Sequence, residues 1–322
     1  MKLRPLSLAA ASLLLAVPAL AQTTPSFTYA KPDDPAKPGT PPPPAVQWKA
    51  IAKGGFTMTS GNSQTTGAVA AASVSRKEGN NRLAIDANAA YGRSNVVAPV
   101  YDNAAAPTVI TGIDRNNLET TNNWLVKGRY DRFFTTNNSG YAAAQAAADK
   151  IAGKSFYGGG QVGYSRQLYK NDMHLLVAEL GYDYSYERYV QAGMTTPPPV
   201  SIHSARVFVG EALTLTKVTG VTASVEGLFN LNTESKALNV NTGAPGVDAF
   251  HDTRVNSKVG FTATLFGKLS IGFAITLRYD QNPAPLPIPP GTAAGVGFAP
   301  GFQPFAEKWD TLTEATLIYT FL

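Results

Sequence analysis

The dominant pattern from Val46 onward is an alternation of apolar with small or polar residues. A period of two is typical of a β-strand whose two faces meet different surroundings. The alternation is clearest over residues 269–279 and recurs over 176–187, 221–231 and 253–265. These runs reach ten or more residues, whereas a typical strand has about five or six. They are long enough for a strand that crosses an outer membrane, which needs about 9–11 residues.

Twelve such segments are predicted, at residues 46–59, 64–77, 80–93, 116–134, 140–149, 154–169, 172–190, 200–217, 219–234, 250–265, 268–280 and 308–322. Short and long connections alternate between them, except that the first and fifth are short where long ones are expected. Short turns on one side and long loops on the other are typical of outer-membrane barrels. We therefore predict an all-β fold, a transmembrane antiparallel up-and-down β-barrel of 12 strands with both termini periplasmic.

Two places run against this pattern. The Ala-rich core of residues 140–149 favours a helix by intrinsic propensity. A helix there would leave an odd number of strands and put the termini on opposite sides of the membrane, so barrel closure favours a strand. Glu211 falls between Val209 and Leu213 on the face assigned to lipid, which requires either a position near the membrane interface or a β-bulge.

Composition agrees with two-faced strands. The chain is 44% hydrophobic and 15% charged, with a mean hydropathy of −0.09, because each strand averages an apolar and a polar face. It has no Cys, which excludes disulfides, Cys-ligated zinc and a thiol nucleophile. After the first 22 residues, no stretch approaches the roughly 18 apolar residues of a membrane-spanning helix.

The amino-terminal segment reads as an export signal. Lys2 and Arg4 precede an apolar run that ends at Ala19-Leu20-Ala21, so residues 1–21 are predicted to be a cleaved signal peptide. The Pro-rich residues 22–45 are predicted to be a disordered lead-in, and residues 46–322 to form the barrel. Losing Lys2 and Arg4 lowers the net charge from +5 to +3. With no basic stripe in the chain, a nucleic-acid partner is not expected.

The carboxyl-terminal strand ends in aromatic residues. Tyr319 and Phe321 share one face, and Leu322 follows them. Such an ending is predicted to be the signal that the barrel-assembly machinery reads, although the extra Leu322 departs from the usual final aromatic residue. Other aromatic residues are candidates for the girdles of a membrane barrel, namely Trp48, Tyr91, Tyr130, Tyr182, Tyr184 and Trp309.

Several motifs, taken in order, carry a family resemblance. They are the opening stretch from Trp48 to Ser63 with its Gly61-Asn62 turn, YGGGQVGY at 157–164, RYDQNP at 278–283 and KWDT at 308–311. Together they resemble the DUF481 family, also called the salt-induced outer membrane protein family, over residues 46–322. The resemblance implies an outer-membrane location and a link to salt or osmotic stress. It supplies no catalytic residues and no ligand.

Charged residues on the inward-facing positions are the candidate functional residues. The predicted lumen-lining set is Asp86, Glu119, Lys127, Arg129, Asp131, Glu179, Asp183, Glu187, Arg206, Glu226, Arg254, Lys258, Arg278, Asp280 and Glu314. Barrels of about 8 strands are filled by their side chains, and those of about 16–18 hold a water channel. A barrel of intermediate size leaves two readings open, a narrow pore for small solutes or ions and a packed, ion-paired plug.

Enzymatic readings find little support in the sequence. The chain has three histidines, His174, His203 and His251, and no G-x-S-x-G nucleophile elbow. We expect no enzyme activity, cofactor or metal. The predicted function is a narrow passive channel or an envelope-integrity protein, with a closed structural barrel whose external loops bind a ligand or lipopolysaccharide as the alternative, and a barrel lipid hydrolase third. Expected partners are outer-membrane lipid, lipopolysaccharide, the assembly machinery and small solutes or ions.

Overall fold

A computed structural model of the chain describes residues 46–59, 65–102, 109–191, 196–286 and 303–321. The predicted signal peptide, the Pro-rich lead-in and Leu322 lie outside these ranges. Within them the strands are Val46–Thr59 (β1), Thr65–Glu78 (β2), Asn81–Asp102 (β3), Val109–Phe133 (β4), Asn138–Asp149 (β5), Lys154–Lys170 (β6), His174–Tyr189 (β7), Val200–Thr214 (β8), Thr219–Asn230 (β9), Glu234–Leu238 (β10), Pro245–Val247 (β11), Arg254–Phe266 (β12), Leu269–Asp280 (β13) and Trp309–Thr320 (β14).

Twelve of these strands form one closed antiparallel barrel, in the order β1-β14-β13-β12-β9-β8-β7-β6-β5-β4-β3-β2. Each strand pairs with its neighbours in the chain, apart from the β1–β14 pair that closes the ring and the short β10 and β11, which pair with each other between β9 and β12. The prediction of an all-β, 12-stranded antiparallel barrel is confirmed. The described ranges contain no helix with the length and apolar character that a membrane span requires.

Two predicted loops are wrong in part. Residues 94–115 were expected to form a loop, but β3 and β4 continue as a paired ribbon as far as Asp102 and Val109. Residues 235–249 were also expected to be irregular, but they contain the β10–β11 hairpin. Neither stretch alternates clearly between apolar and polar residues, so the sequence pattern does not reveal these locally paired strands.

The Ala-rich segment forms strand β5, as barrel closure requires. Tyr130 of β4 lies opposite Ala142, and Ala142 lies opposite Val162 of β6. Neighbouring strands on both sides satisfy the backbone of β5, so tertiary pairing overrides the helix propensity of alanine.

The barrel has two distinct ends. Ile51 of β1 lies opposite Thr320 of β14, which brings both described ends of the barrel chain to one end of the molecule. We call this the terminal end; it also carries the short turns 79–80, 134–137, 171–173, 215–218 and 267–268. The opposite end, the loop end, carries the connection 231–253 with the β10–β11 hairpin.

The alternation separates the outside of the barrel from its interior. The outer face is apolar, and Ile271, Phe273 and Ile275 remain 42–47% exposed. The inner face holds the fully buried side chains, among them Leu125, Val177 and Phe208. Several exposed outer aromatic residues lie near strand ends, Trp48, Tyr130, Tyr164, Tyr319 and Phe321 at the terminal end and Trp309 at the loop end, whereas Tyr91 and Tyr182 lie near the middle of β3 and β7.

Candidate functional site

Strand register places all but one of the predicted lumen-lining residues on the inner face. They are Asp86, Lys127, Arg129, Asp131, Glu179, Asp183, Glu187, Arg206, Glu226, Arg254, Lys258, Arg278, Asp280 and Glu314.

Glu119 is the exception. The β3–β4 register shifts between Gly92 and Arg93, so Glu119 lies opposite Arg93 on the outer face. There its carboxylate accepts a hydrogen bond from the Tyr91 hydroxyl at 3.3 Å and lies 3.9 Å from Arg93 Nη2. The bulge that turns Glu119 outward leaves no mark in the alternation of the sequence.

A charged network fills the middle of the lumen. Arg129 Nη2 lies 2.7 Å from both Asp131 Oδ1 and Glu179 Oε1. Arg206 donates from Nη1 to Glu179 Oε2 at 2.8 Å and from Nε to Glu226 Oε1 at 2.6 Å. We call these five residues, together with Tyr141, the central cluster. Because two arginines bridge three carboxylates, most of the buried charge is compensated within the cluster.

Tyr141 completes the central cluster and was not predicted as a site residue. Its hydroxyl accepts a hydrogen bond from Arg206 Nη1 at 2.8 Å, and the Arg129 guanidinium lies 4.1 Å from its ring centroid. The hydroxyl rests on Gly163 and Gly181, where an added Cβ would come within 2.6 and 2.5 Å of it. Two glycines facing each other on β6 and β7 therefore make the space for this ring, a relation that single-strand patterns do not reveal.

A second network lies nearer the loop end. Arg254 Nη1 lies 2.5 Å from Glu187 Oε1, and Arg254 Nη2 lies 3.0 Å from Asp252 Oδ2. Lys154, which the sequence did not single out, lies 2.9 Å from the same Glu187 oxygen. Asp280 approaches Arg254 Nε at 3.6 Å. We call these five residues the loop-end cluster.

The β10–β11 hairpin folds onto the barrel mouth beside the loop-end cluster. Ala237 and Val247 of the hairpin pack against Val200 and Ile202, which lie on the inner face of β8. Glu234 of the hairpin is only 4% exposed and accepts a hydrogen bond of 3.4 Å from the Asn230 amide. The loop 231–253 therefore covers part of the mouth.

Two carboxyls at this mouth have altered acidity. Burial, reinforced by the nearby Asp252, raises the pKa of Glu234 to about 8. Burial likewise raises the pKa of Asp252 to about 7, although the adjacent Arg254 opposes the change. Both groups sit where the hairpin meets the barrel, so the protonation of this contact changes near neutral pH.

The lumen is asymmetric. The inner faces of β4 to β9, here the packed arc, carry large buried side chains such as Tyr157 and Phe208 in addition to the central cluster. The inner faces of β12 to β14 and β1 to β3, here the open arc, carry many small side chains at the described positions: Ala71, Ser73, Ser75, Ala84, Gly260, Gly272 and Ala274. The described inner-face positions of the open arc are also less often buried than those of the packed arc, so the lumen is more accessible along the open arc.

The open arc is in contact with solvent. Lys49, Lys53, Thr262 and Thr264 point inward yet remain exposed near the terminal end. At mid-height Asn88 is 6% exposed, and its side-chain amide makes no hydrogen bond within the described residues. An amide in that position is expected to be solvated by water.

A cavity of about 130 Å³ lies at the loop end, between the open arc and the loop-end parts of β5 and β6. Its lining includes Arg254, Arg278 and Asp280 from β12 and β13 and Asp310 from β14. Arg278 lies 3.3 Å from Asp310, and lower in the barrel Lys258 lies 3.0 Å from Glu314. Polar and charged groups therefore follow the open arc from one end of the barrel to the other.

The three histidines lie away from the lumen clusters. His174 Nδ1 lies 3.1 Å from Glu211 Oε1 on the outer face near the terminal end, which accounts for the carboxylate on that face without a bulge. His203 contacts the Tyr182 hydroxyl, and His251 contacts the Ala249 carbonyl at 3.1 Å. Within the described ranges, no three His, Asp or Glu side chains are arranged to hold a metal ion.

The chain is similar to several solved proteins, at low sequence identity and with low TM-scores. The translocator domain of the autotransporter NalP from Neisseria meningitidis is 11% identical, with a TM-score of 0.39, over 86% of this chain and 87% of that chain. The outer membrane channel DcaP of Acinetobacter baumannii is 11% identical, with a TM-score of 0.33, over 86% and 97%. The NanC porin is 9% identical, with a TM-score of 0.39, over 84% and 97%.

Sequence comparison is more specific than these structural likenesses. None of the curated proteins compared with the chain matches it. Residues 52–321 match the family described as "Protein of unknown function, DUF481", which covers nearly the whole barrel. The resemblance seen in the motifs is confirmed, and the chain belongs to the DUF481 family.

Proposed function

We propose that this protein is an outer-membrane barrel that passes small solutes or ions through a narrow passage along its open arc. The observation that carries the proposal is the asymmetry of the lumen, with bulky ion-paired residues on one arc and small, solvent-contacting residues on the other. The large side chains of the packed arc restrict the passage, and Thr276 and Asn88 lie buried on the open arc. A passage of this kind excludes large substrates.

The outer surface supports the membrane location. Apolar side chains cover the outside of the strands, and several aromatic side chains lie near strand ends, where membrane barrels carry their girdles. We assign the terminal end to the periplasm, because its turns are short and periplasmic turns of such barrels are short. The exposed Tyr319 and Phe321, whose ring centroids lie 4.8 Å apart, then stand at the periplasmic rim as the proposed assembly signal.

The orientation can be tested by surface labelling. The chain has no Cys, so single cysteines report unambiguously. In intact cells, a large maleimide that cannot cross the outer membrane should label His251→Cys at the loop end. Lys217→Cys in a terminal-end turn should react only after the membrane is permeabilised. The reverse pattern would contradict the assignment.

Conductance in planar bilayers tests the passage. Ala71 points into the lumen, and the adjacent Ala70 points outward. Ala71→Trp should lower the single-channel conductance by about half or more, because the ring occupies the open arc at the level of Asn88, which lies opposite Ala71. The matched Ala70→Trp variant places the same ring in lipid and should conduct like the wild type.

Folding must be verified in the same samples. Each variant should migrate differently on a gel before and after boiling, as folded membrane barrels do. Wild-type protein that passes this check but stays silent across voltage and salt would contradict the channel. An equal loss in both Trp variants would argue against the position of the passage.

The packing of the β10–β11 hairpin on the mouth favours a second candidate, a closed structural barrel whose loops bind a ligand or lipopolysaccharide. Replacing residues 234–247 with a short Gly-Ser linker separates the two. A silent wild type and a silent linker variant would support the structural barrel, whereas unchanged conductance in the variant would show that the hairpin does not restrict the passage.

We also propose that the protein is not an enzyme and that it contributes to the envelope under salt or osmotic stress. The absence of enzyme activity is proposed because, among the described residues, none of the three histidines contacts a serine that it could activate. The stress role is proposed from the family resemblance. A lipid hydrolysis assay of wild type and His174→Ala, and growth of a deletion strain at high salt, test them. Lipid hydrolysis by the wild type that His174→Ala abolishes would contradict the first proposal. Growth of the deletion strain equal to that of the parent strain at high salt would contradict the second.

A further inference from the structure

We propose that the passage favours small anions over cations, owing to a group of lysines and one arginine on the inner faces of β1, β2 and β3. The group consists of Lys49, Lys53, Lys77 and Arg82 and is here called the cationic strip. The inference rests on the proposed channel and names the class of solute that it conducts.

Strand register brings the strip together. Lys77 of β2 lies directly opposite Arg82 of β3. Lys49 and Lys53 of β1 lie opposite Ser75 and Ala71, on the same inner face of the sheet. All four side chains therefore share one wall of the lumen in its terminal half, and the inner-face residues between them, Ile51, Ser73 and Ser75, carry no charge.

Carboxylates neutralise the strip only in part. Arg82 forms an ion pair with Asp131 at 3.9 Å, and Arg129 shares the same carboxylate at 2.7 Å. Lys77 Nζ lies 5.6 Å from the centre of the Phe133 ring, a contact that leaves its charge in place. Within the described residues, Lys49 and Lys53 form no ion pair.

One acid faces the strip on these three strands. The carboxylates of Asp86 on β3 and Glu314 on β14 attract the Lys53 ammonium electrostatically. Glu314 is itself 3.0 Å from Lys258. The three lysines of the strip therefore face one carboxylate, Asp86, that forms no ion pair within the described residues, and the strip keeps an excess of positive charge.

The remaining lumen offers no comparable excess. Arg129 and Arg206 share the carboxylates of the central cluster, and Arg254 is surrounded by the acids of the loop-end cluster. A unit charge about 5 Å from a path changes the local concentration of a monovalent ion roughly fourfold even at the dielectric constant of water. Selectivity is therefore expected to arise at the strip, where the exposed Lys49 and Lys53 border the passage.

Reversal potentials across a bilayer in a potassium chloride gradient test the inference. Wild type should show a chloride-to-potassium permeability ratio well above one. Lys49→Gln/Lys53→Gln should lower the ratio about threefold or more, and Lys49→Glu/Lys53→Glu should bring it below one. The matched Lys217→Gln/Lys236→Gln variant removes the same charge from a turn and from the hairpin, and should keep the wild-type ratio.

The outcomes separate this inference from the channel itself. A conducting wild type with a ratio near one overturns the anion preference and leaves the channel intact. A ratio that falls equally in the control variant assigns selectivity to overall charge and overturns the role of the strip. Silence of a folded wild type overturns both.

Discussion

At the scale of single residues, the stability of the barrel depends on buried charged side chains in the lumen that are paired with one another and poorly solvated. The Arg206 side chain is completely buried between Glu179 and Glu226, and Tyr141 caps its remaining side. Removing one member of such a group leaves the others charged in a region where solvation is poor, which costs more than the lost contact.

Arg206→Met should destabilise the barrel by about 3–5 kcal/mol, because Glu179 and Glu226 lose a shared partner. Urea unfolding in lipid vesicles measures the change. Arg166→Met removes an exposed arginine from the outer face of β6 and should change stability by less than about 0.5 kcal/mol. The Arg206→Met/Glu179→Gln double variant should recover part of the loss, and equal losses in the two single variants would contradict the role of the cluster.

Gly181→Ala tests the space beneath the tyrosine. A Cβ at this position would press on the Tyr141 hydroxyl and on the Val162 carbonyl oxygen, which the barrel wall holds fixed. We expect a loss of about 1–3 kcal/mol of unfolding free energy, typical of overpacking. Gly54→Ala on β1, where no atom lies within 4 Å of the added carbon, is the matched control and should be neutral or slightly stabilising.

At the scale of elements, period-two patterns predicted the barrel strands well because nearly every strand has one apolar and one polar face. β5 required an additional argument, since alanine is compatible with a helix and only barrel closure identified a strand. The β10–β11 hairpin and the bulge near Glu119 escaped prediction because both depend on contacts between strands. The ion-pair partners within the lumen were equally hidden, since alternation gives the face of a residue and not its neighbour.

The hairpin should respond to pH. The pKa of Glu234 is raised to about 8 when the hairpin is docked, above the value of about 4.3 expected for a free glutamate. The docked state therefore holds a proton that the released state gives up. The hairpin therefore docks most strongly at a pH below the pKa of a free glutamate, and its docking weakens as the pH rises toward 8.

Amide hydrogen exchange over residues 234–247, corrected for its intrinsic pH dependence, measures this response. Protection should fall between pH 5 and pH 8, the range bounded by about the free pKa and the docked value. Glu234→Gln, which cannot ionise, should flatten most of the change and leave the smaller contribution of Asp252. Glu307→Gln, at an exposed position, should behave like the wild type, and a pH response that persists unchanged in Glu234→Gln would contradict the mechanism.

At the scale of the whole molecule, the strand pairings around the barrel differ in length. β1 pairs with β2 along its whole length, but with β14 only over Ile51 to Gly54, opposite Leu317 to Thr320. The closing seam is therefore the shortest strand pairing in the barrel wall, and it decides whether the sheet is a closed ring.

A disulfide across the seam tests closure in the native protein. Gly54 lies opposite Leu317, so Gly54→Cys/Leu317→Cys should oxidise readily and migrate as a looped chain after boiling without reductant. Gly54→Cys/Ala315→Cys places the second thiol two residues away along β14, at a diagonal spacing of roughly 7 Å that a disulfide does not span. Absence of the cross-link in the first variant, or equal yields in both, would contradict the register of the seam.

The seam also sets the order in which the molecule assembles. Its two strands stand at opposite ends of the chain, so bringing them together costs more chain entropy than closing any hairpin in the wall. Hairpins therefore accumulate into an open, curved sheet before the ring forms, and both edges of that sheet present unpaired backbone groups. An arrested intermediate keeps its strands, and it fails by joining other copies edge to edge rather than by unravelling.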